Sequence, residues 1–164
     1  MSSVSVRLEG DTEELLAKIR QMEGVDKAGI ANAVAEGLRT STLERFREEL
    51  SPEGERWTPS VRALEKNGKT LTASAGLKNS IRAKSDDTGA AVGTNKVYAA
   101  THQFGAERTI RAKNKKNLTF RIGGRWISKP SVRVTIPARP FLGVSREDEE
   151  EIREILETVF EGDG

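Results

Sequence analysis

The chain has no cysteine and a single histidine among 164 residues, and these two scarcities remove most catalytic and metal chemistry at the outset. Without cysteine there is no disulfide, no thiolate zinc site and no thiol nucleophile. With His102 as the only imidazole, multi-histidine metal sites and H-E-x-x-H chemistry are excluded, and a serine triad has one candidate base. No G-x-S-x-G elbow precedes it in a strand-to-helix context. Aromatic residues are only 5% of the chain, so each one is a candidate anchor. No apolar run reaches roughly 18 residues and no basic-then-apolar leader opens the chain, which predicts neither a membrane span nor a secretory signal. The chain is 35% hydrophobic and 32% charged, yet its apolar positions are patterned. Its length fits a single domain over 1–164.

Charge of one sign is also missing locally. The net charge of +2 hides a segregation. Between Ala106 and Val134 stand Arg108, Arg111, Lys113, Lys115, Lys116, Arg121, Arg125, Lys129 and Arg133 against one acid, Glu107. From Ser145 to Gly164 nine acids face only Arg146 and Arg153.

Val4, Val6 and Leu8 alternate and predict a strand, followed by a short helix with a capping box at Asp11 and Glu14. A long helix is expected from a cap at Asp26 to about Leu50, its small residues Ala31, Ala33, Ala35 and Gly37 permitting close packing. "SPEGERW" reads as a turn that folds Trp57 back on that helix as a core plug. Pro59 suits the first turn of a short helix through Leu64, and a further helical piece over 73–80 presents Leu77. "SIRAKS" and "AAVGT" predict two short strands around Asp86 and Asp87, and "VYAATHQFG" brings Tyr98, His102 and Phe104 near each other. The basic region, with Leu118, Phe120, Ile122, Gly123, Gly124 and Trp126, predicts a β-hairpin insert at about 107–133. A last helix is expected from Ser145, with Asp148 completing a capping box and Ile152, Ile155, Leu156, Val159 and Phe160 forming its apolar stripe.

"TIPARPFLG", residues 135–143, packs two prolines around Ala138 and Arg139. Each proline fixes its own φ and pushes the preceding residue into an extended shape, so Arg139 is held on a rigid rod. Phe141 and Leu142, with Trp57 and Phe104, are the expected core anchors. Arg139 has two destinations, a partner surface or a carboxylate of its own chain such as Glu147 or Asp148, and the partner is the reading taken.

Four features resemble catalytic or binding motifs. "ALEKNGKT", residues 63–70, nearly matches G-x-x-x-x-G-K-[ST], but Ala63 replaces the first glycine and no buried strand leads into it. His102 reads as a packing residue, and Asp86 and Asp87 as a turn. The basic hairpin is more serious. Nine positive charges with Phe120 and Trp126 interleaved are able to track a phosphate backbone, or to dock on an acidic protein surface such as the last helix of another copy.

The order "SPEGERW", "LTASAGLKNSI", "VGTNKVYAATHQFG", "TIPARPFLG" and an acidic amphipathic helix resembles the phage virion morphogenesis family, the tail completion proteins of Mu-like phages. The resemblance runs from about Val4 to Phe160, and its most specific parts are "HQFG" at 102–105 and "IPARPFLG" at 136–143. Ser51 stands where the family often has aspartate, and the basic insert is long. The resemblance implies an α+β fold, here a small antiparallel sheet against a long helix and the C-terminal amphipathic helix, plus the hairpin insert. It implies a structural protein with no catalytic residues and no cofactor, capping or completing the head-proximal end of the tail so that it can join the head. Implied partners are copies of itself in a ring, the tail tube and neck proteins, with DNA only passing through the ring and no membrane. The place of action is the virion, and the host cytoplasm before assembly. Arg111, Lys113, Lys115, Lys116, Arg121, Arg125 and Arg139 are the candidate contacts. A small DNA-binding module using the 109–133 hairpin is the alternative.

Overall fold

The computed structural model describes residues 11–162, so the alternating stretch at 4–8 and the Asp11 capping box lie outside the described residues and side chains. Helix α1 (Asp11–Gln21) leads into α2 (Lys27–Glu48). Asp26 caps α2 as expected, its Oδ1 accepting from the Gly29 N–H at 2.9 Å. The helix stops at Glu48 because Glu49 turns left-handed, with φ 61°, and donates back to the Arg45 carbonyl.

Two separate cores are strung along α2. Ile19, Ile152 and Leu156 are buried where α1, the first half of α2 and α5 (Arg146–Gly162) meet, with Leu16, Ile30, Val34 and Phe160 packed around them. Close approach is possible because α2 presents Gly37 to α5, where a Cβ would lie 3.2 Å from Glu151 Oε1; Ala35 is buried as well. Ala33, by contrast, is exposed. The second core holds Phe46, Trp57, Leu77, Ile81, Ala99 and Phe141, with Leu142 packed against it. Phe46 is its hub, 5.5 Å from the Trp57 ring in a T-shaped pair and 5.2 Å from the Phe141 ring. Burying each of these large side chains stabilises the fold by about 1.5–3 kcal/mol.

The turn before Trp57 is closed by Ser51, where the resemblance leads one to expect an aspartate. Ser51 Oγ accepts from the N–H groups of Glu53 at 3.2 Å and Glu55 at 3.3 Å, the work an aspartate carboxylate would do there. Helix α3 (Val61–Glu65) is capped by Ser60, so Pro59 stands outside the helix instead of in its first turn. The helix expected over 73–80 contracts to a single 3-10 turn, Lys78–Ser80. Thr72, Ser74 and Gly76 favour turns, and Leu71 and Ala75 sit at φ 61° and 52°, outside any helix. Leu77 is buried all the same. Strands β1 (Arg82–Ser85) and β2 (Ala90–Gly93) pair antiparallel and pack on α2. Asp86 Oδ1 closes their turn, accepting from Thr88 Oγ1 and from the N–H groups of Thr88 and Gly89, which holds its carboxyl below the ordinary value.

Helix α4 (Ala99–Phe104) leads through Gly105 into a long β arm. Its base pairs β3 (Ala106–Arg111) with β6 (Ser131–Ile136), and its tip pairs β4 (Leu118–Ile122) with β5 (Arg125–Lys129) around Gly123 and Gly124. The fold is thus α+β as expected, but the strands among the described residues form three two-stranded sheets and the insert is a two-stage arm.

Candidate functional site

The rod at 137–143 has no regular secondary structure, so its backbone groups need other partners. Buried side chains supply them. Gln103 reads the backbone like a strand: its Oε1 accepts from the N–H groups of Phe141 at 3.1 Å and Leu142 at 3.0 Å, and its Nε2 donates to Leu142 O at 2.9 Å. Trp57 Nε1 donates to Pro140 O at 2.8 Å. Arg45 Nη1 donates to Phe141 O at 3.2 Å and to Gly143 O at 3.0 Å. The other guanidinium nitrogen, Nη2, reaches Ser41 Oγ at 2.9 Å and a buried carboxylate, Asp148. Asp148 in turn accepts from the Ser145 N–H at 2.8 Å while Ser145 Oγ accepts from the Asp148 N–H at 3.1 Å, which is the expected capping box. One arginine therefore ties α2, the rod and the start of α5 together. Breaking such a buried pair by removing one partner costs about 3–5 kcal/mol.

Arg139 belongs to this clamp, and the expectation that it faces a partner is corrected. It is only 5% exposed; its N–H donates to His102 O at 2.7 Å and its Nε to Thr58 O at 2.7 Å. Neither Glu147 nor Asp148 receives it, because Arg45 already holds Asp148. Burial lowers the Arg139 pKa, and burial together with the Arg139 charge lowers that of His102. His102 packs edge-on to Tyr98 with centroids 6.1 Å apart, and its buried Nδ1 has no hydrogen-bond partner among the described residues. Phe104 is the second correction. Ala99 and Gln103 share the inward face of α4, so Phe104, one residue further round, is turned out and 60% exposed.

Glycine is required at both ends of the clamp. A Cβ at Gly105, where φ is 73°, would lie 2.8 Å from Ile136 O and 2.9 Å from Ala138 N. A Cβ at Gly143 would lie 2.6 Å from Pro52 Cγ. The residues of "HQFG" and "IPARPFLG", far apart in sequence, thus meet as one structure.

The arm grows from this clamp. In its base, register puts Ala106, Arg108, Ile110, Val132, Val134 and Ile136 on one face, with Glu107, Thr109, Arg111, Ser131, Arg133 and Thr135 on the other. In its tip, Leu118, Phe120, Ile122, Arg125, Ile127 and Lys129 share one face, and Arg121 and Trp126 sit opposite each other on the other. Arg111, Lys113, Lys115, Lys116, Arg121 and Arg125 are all exposed here, as expected. Among the described residues the arm has one ion pair, Arg133 with Glu107 at 2.6 Å. Trp126 is 72% exposed.

The nucleotide-like stretch is built differently from a phosphate loop. Lys69 Nζ donates to the Arg47 carbonyl, and Thr70 is fully buried, its N–H on Glu49 Oε1 at 2.7 Å and its Oγ1 accepting from the Ser60 N–H at 3.2 Å. No group of His, Asp or Glu able to hold a metal occurs among the described residues. No described helix is long and apolar enough to cross a membrane.

The sequence model of the phage virion morphogenesis family matches residues 9–161. The chain belongs to that family. A curated relative, Mu-like prophage FluMu G protein 2 of Haemophilus influenzae, is 33% identical over 96 residues, 58% of this chain and 55% of that protein. The chain thus spans about half the length of that relative. No solved structure matches. In this family member the clamp residues that sequence reasoning missed are Gln103 and Arg45, while Asp148 was expected as a cap but not as the partner of Arg45. Gln103 was signalled only by its place in "HQFG". The pairing of Arg45 with Asp148 left no sequence signal, since both sit in strongly charged helices.

Proposed function

We propose that the chain completes or caps the head-proximal end of a phage or prophage tail and supports head–tail joining, as a structural part with no catalytic step. The observation that carries this reading is the arm held on a rigid clamp in a chain of the virion morphogenesis family. The residues that resemble catalytic machinery, His102, Lys69 and Thr70, contribute to packing or internal hydrogen bonds. On this reading the partners are further copies in a ring, the tail tube and the neck proteins, and the protein ends up in the virion. DNA meets it only by passing through the ring.

The test is deletion of the gene in an inducible prophage, followed by complementation. Separate tails and filled heads are expected without the gene, and joined particles with it. Joined particles at wild-type yield in the deletion would overturn the proposal. Calorimetry with ATP is expected to show no binding, and a Lys69-dependent signal at micromolar affinity would reopen an enzymatic role. The exposed Trp126 among basic residues also favours a second reading, a DNA-binding module, for which salt-sensitive binding to duplex DNA is the discriminating measurement.

A further inference from the structure

The tip of the arm and the helical end of the body carry complementary features that a single chain leaves unmatched. At the tip, Trp126 projects into solvent with Arg121 directly across the ladder on the same face. The position of Arg121 is fixed, because its Nε donates to Gly124 O at 3.1 Å in the turn. Large aromatic side chains flanked by arginine are the commonest energetic anchors of protein interfaces. A two-stranded ladder with no covered face is marginal in water, and the tip leaves Ile122 and Trp126 exposed.

On the body, α1 and α5 border a groove of about 300 Å³ lined by Phe160, Glu157, Glu161 and Lys18. That is the lower end of the roughly 300–1,000 Å³ of ligand pockets, a size suited to one indole. Phe160 gives it an apolar wall, the two glutamates give it a negative rim, and Lys18 borders it from α1. The rest of α5 extends the negative field. Its exposed face carries Glu147, Glu149, Glu150, Glu151 and Glu154, of which only Glu150 is in an ion pair among the described residues, with Arg146 at 3.3 Å.

We infer that Trp126 is the anchor by which the arm of one copy docks in the α1/α5 groove of the next, with Arg121, on the same face of the ladder, set against Glu157 and Glu161. The occupant is a second copy because each chain offers both a knob and a matching socket of opposite charge, and its own Trp126 is not seated. Such a contact is head-to-tail, so successive copies close into a ring when the rotation permits and otherwise form an open chain. The inference rests on the proposed reading of the chain as a self-assembling tail part and names the surfaces by which it assembles.

The test uses the full chain in sedimentation experiments over a range of concentration and salt, with thermal melts confirming that each variant is folded. Wild type is expected to self-associate, more weakly as salt screens the contact. Trp126→Ala should weaken association roughly tenfold or more, with Trp126→Phe retaining most of it. Arg121→Glu, and separately Glu157→Lys with Glu161→Lys, should each be monomeric, and an equimolar mixture of the two should associate again. A wild type that stays monomeric up to about 1 mM would overturn the inference. So would charge-reversed variants that associate like wild type, or a mixture that stays dissociated. Unchanged self-association of Trp126→Ala with loss of duplex-DNA binding would assign the tip to nucleic acid instead. If Trp126→Ala self-associates normally and wild type still restores head–tail joining, the anchor is wrong while the tail role stands.

Discussion

The clamp and the arm are neighbours in the chain with opposite physics. Around the rod at 137–143, polar groups are buried and partnered: Gln103, Trp57 and Arg139 bond to backbone, and Arg45 to backbone as well as to Ser41 and Asp148. Along 106–136 the polar groups are charged, exposed and almost without ion-pair partners among the described residues. The difference separates two meanings of a charged side chain. A guanidinium inside the clamp fixes geometry, and a guanidinium on the arm is available to a partner. The most motif-like stretches of the sequence thus make the platform, and the stretch with the plainest composition makes the part that reaches outward.

Truncation at the hub should break the clamp side most severely. Phe141→Ala removes a fully buried ring from the second core, and a loss of about 3–5 kcal/mol in urea unfolding is expected, enough to threaten the fold. A loss under about 1 kcal/mol would show that the rod is not seated as described. Gln103→Ala leaves the Phe141 and Leu142 N–H groups and the Leu142 carbonyl without their partner, and should cost roughly 1–3 kcal/mol for each group that stays dry. Gln103→Glu sharpens the point, since it keeps the acceptor and loses the donor to Leu142 O.

The arm should show the reverse. Replacing Lys113, Lys115 and Lys116 by glutamate is expected to change stability by no more than about 0.5 kcal/mol per site while weakening self-association. Limited trypsin digestion should cut first between Arg108 and Arg133 and leave the body folded. Early cuts inside α2 would contradict the division between platform and arm.

The smallest effect concerns His102. Its folded pKa is lowered by burial and by the nearby Arg139 charge, so the unfolded chain takes up the proton first as pH falls. The resulting stability is complete above the unfolded value of about 6.5 and is lost as pH drops below it toward the lower folded value. His102→Gln should flatten that part of the stability curve, measured by urea unfolding at several pH values.

Local signals in the sequence were legible because they act over a few residues. The Asp26 cap, the Ser145–Asp148 capping box, the Trp57 plug and the Gly123–Gly124 turn are all of this kind. What could not be read depends on distant partners. Arg45 and Asp148 are 103 positions apart, and nothing near either one marks it as buried. The direction of Arg139 turned on whether Asp148 was already taken. Phe104 failed as an anchor because a helix shorter than two turns has room for few inward positions, and Ala99 and Gln103 fill them. Among the candidate contacts the six basic arm residues stayed at the surface, since a hairpin offers no interior for them.

The pinched foot of the arm has a consequence for how such a chain can vary. Gly105 and the Ile136–Ala138 backbone sit in contact, with no space between them even for a Cβ. Whatever is inserted between these two points begins and ends at the same spot on the body, so the ends of the insert are already joined. A longer or shorter segment then changes chain entropy only slowly, by about 0.6 kcal/mol for each doubling of length. The foot is in effect a graft junction. Arms of different length, charge or tip chemistry can be exchanged through it without redesigning the platform, and a peptide tag placed at Gly123–Gly124 should leave the body folding as before.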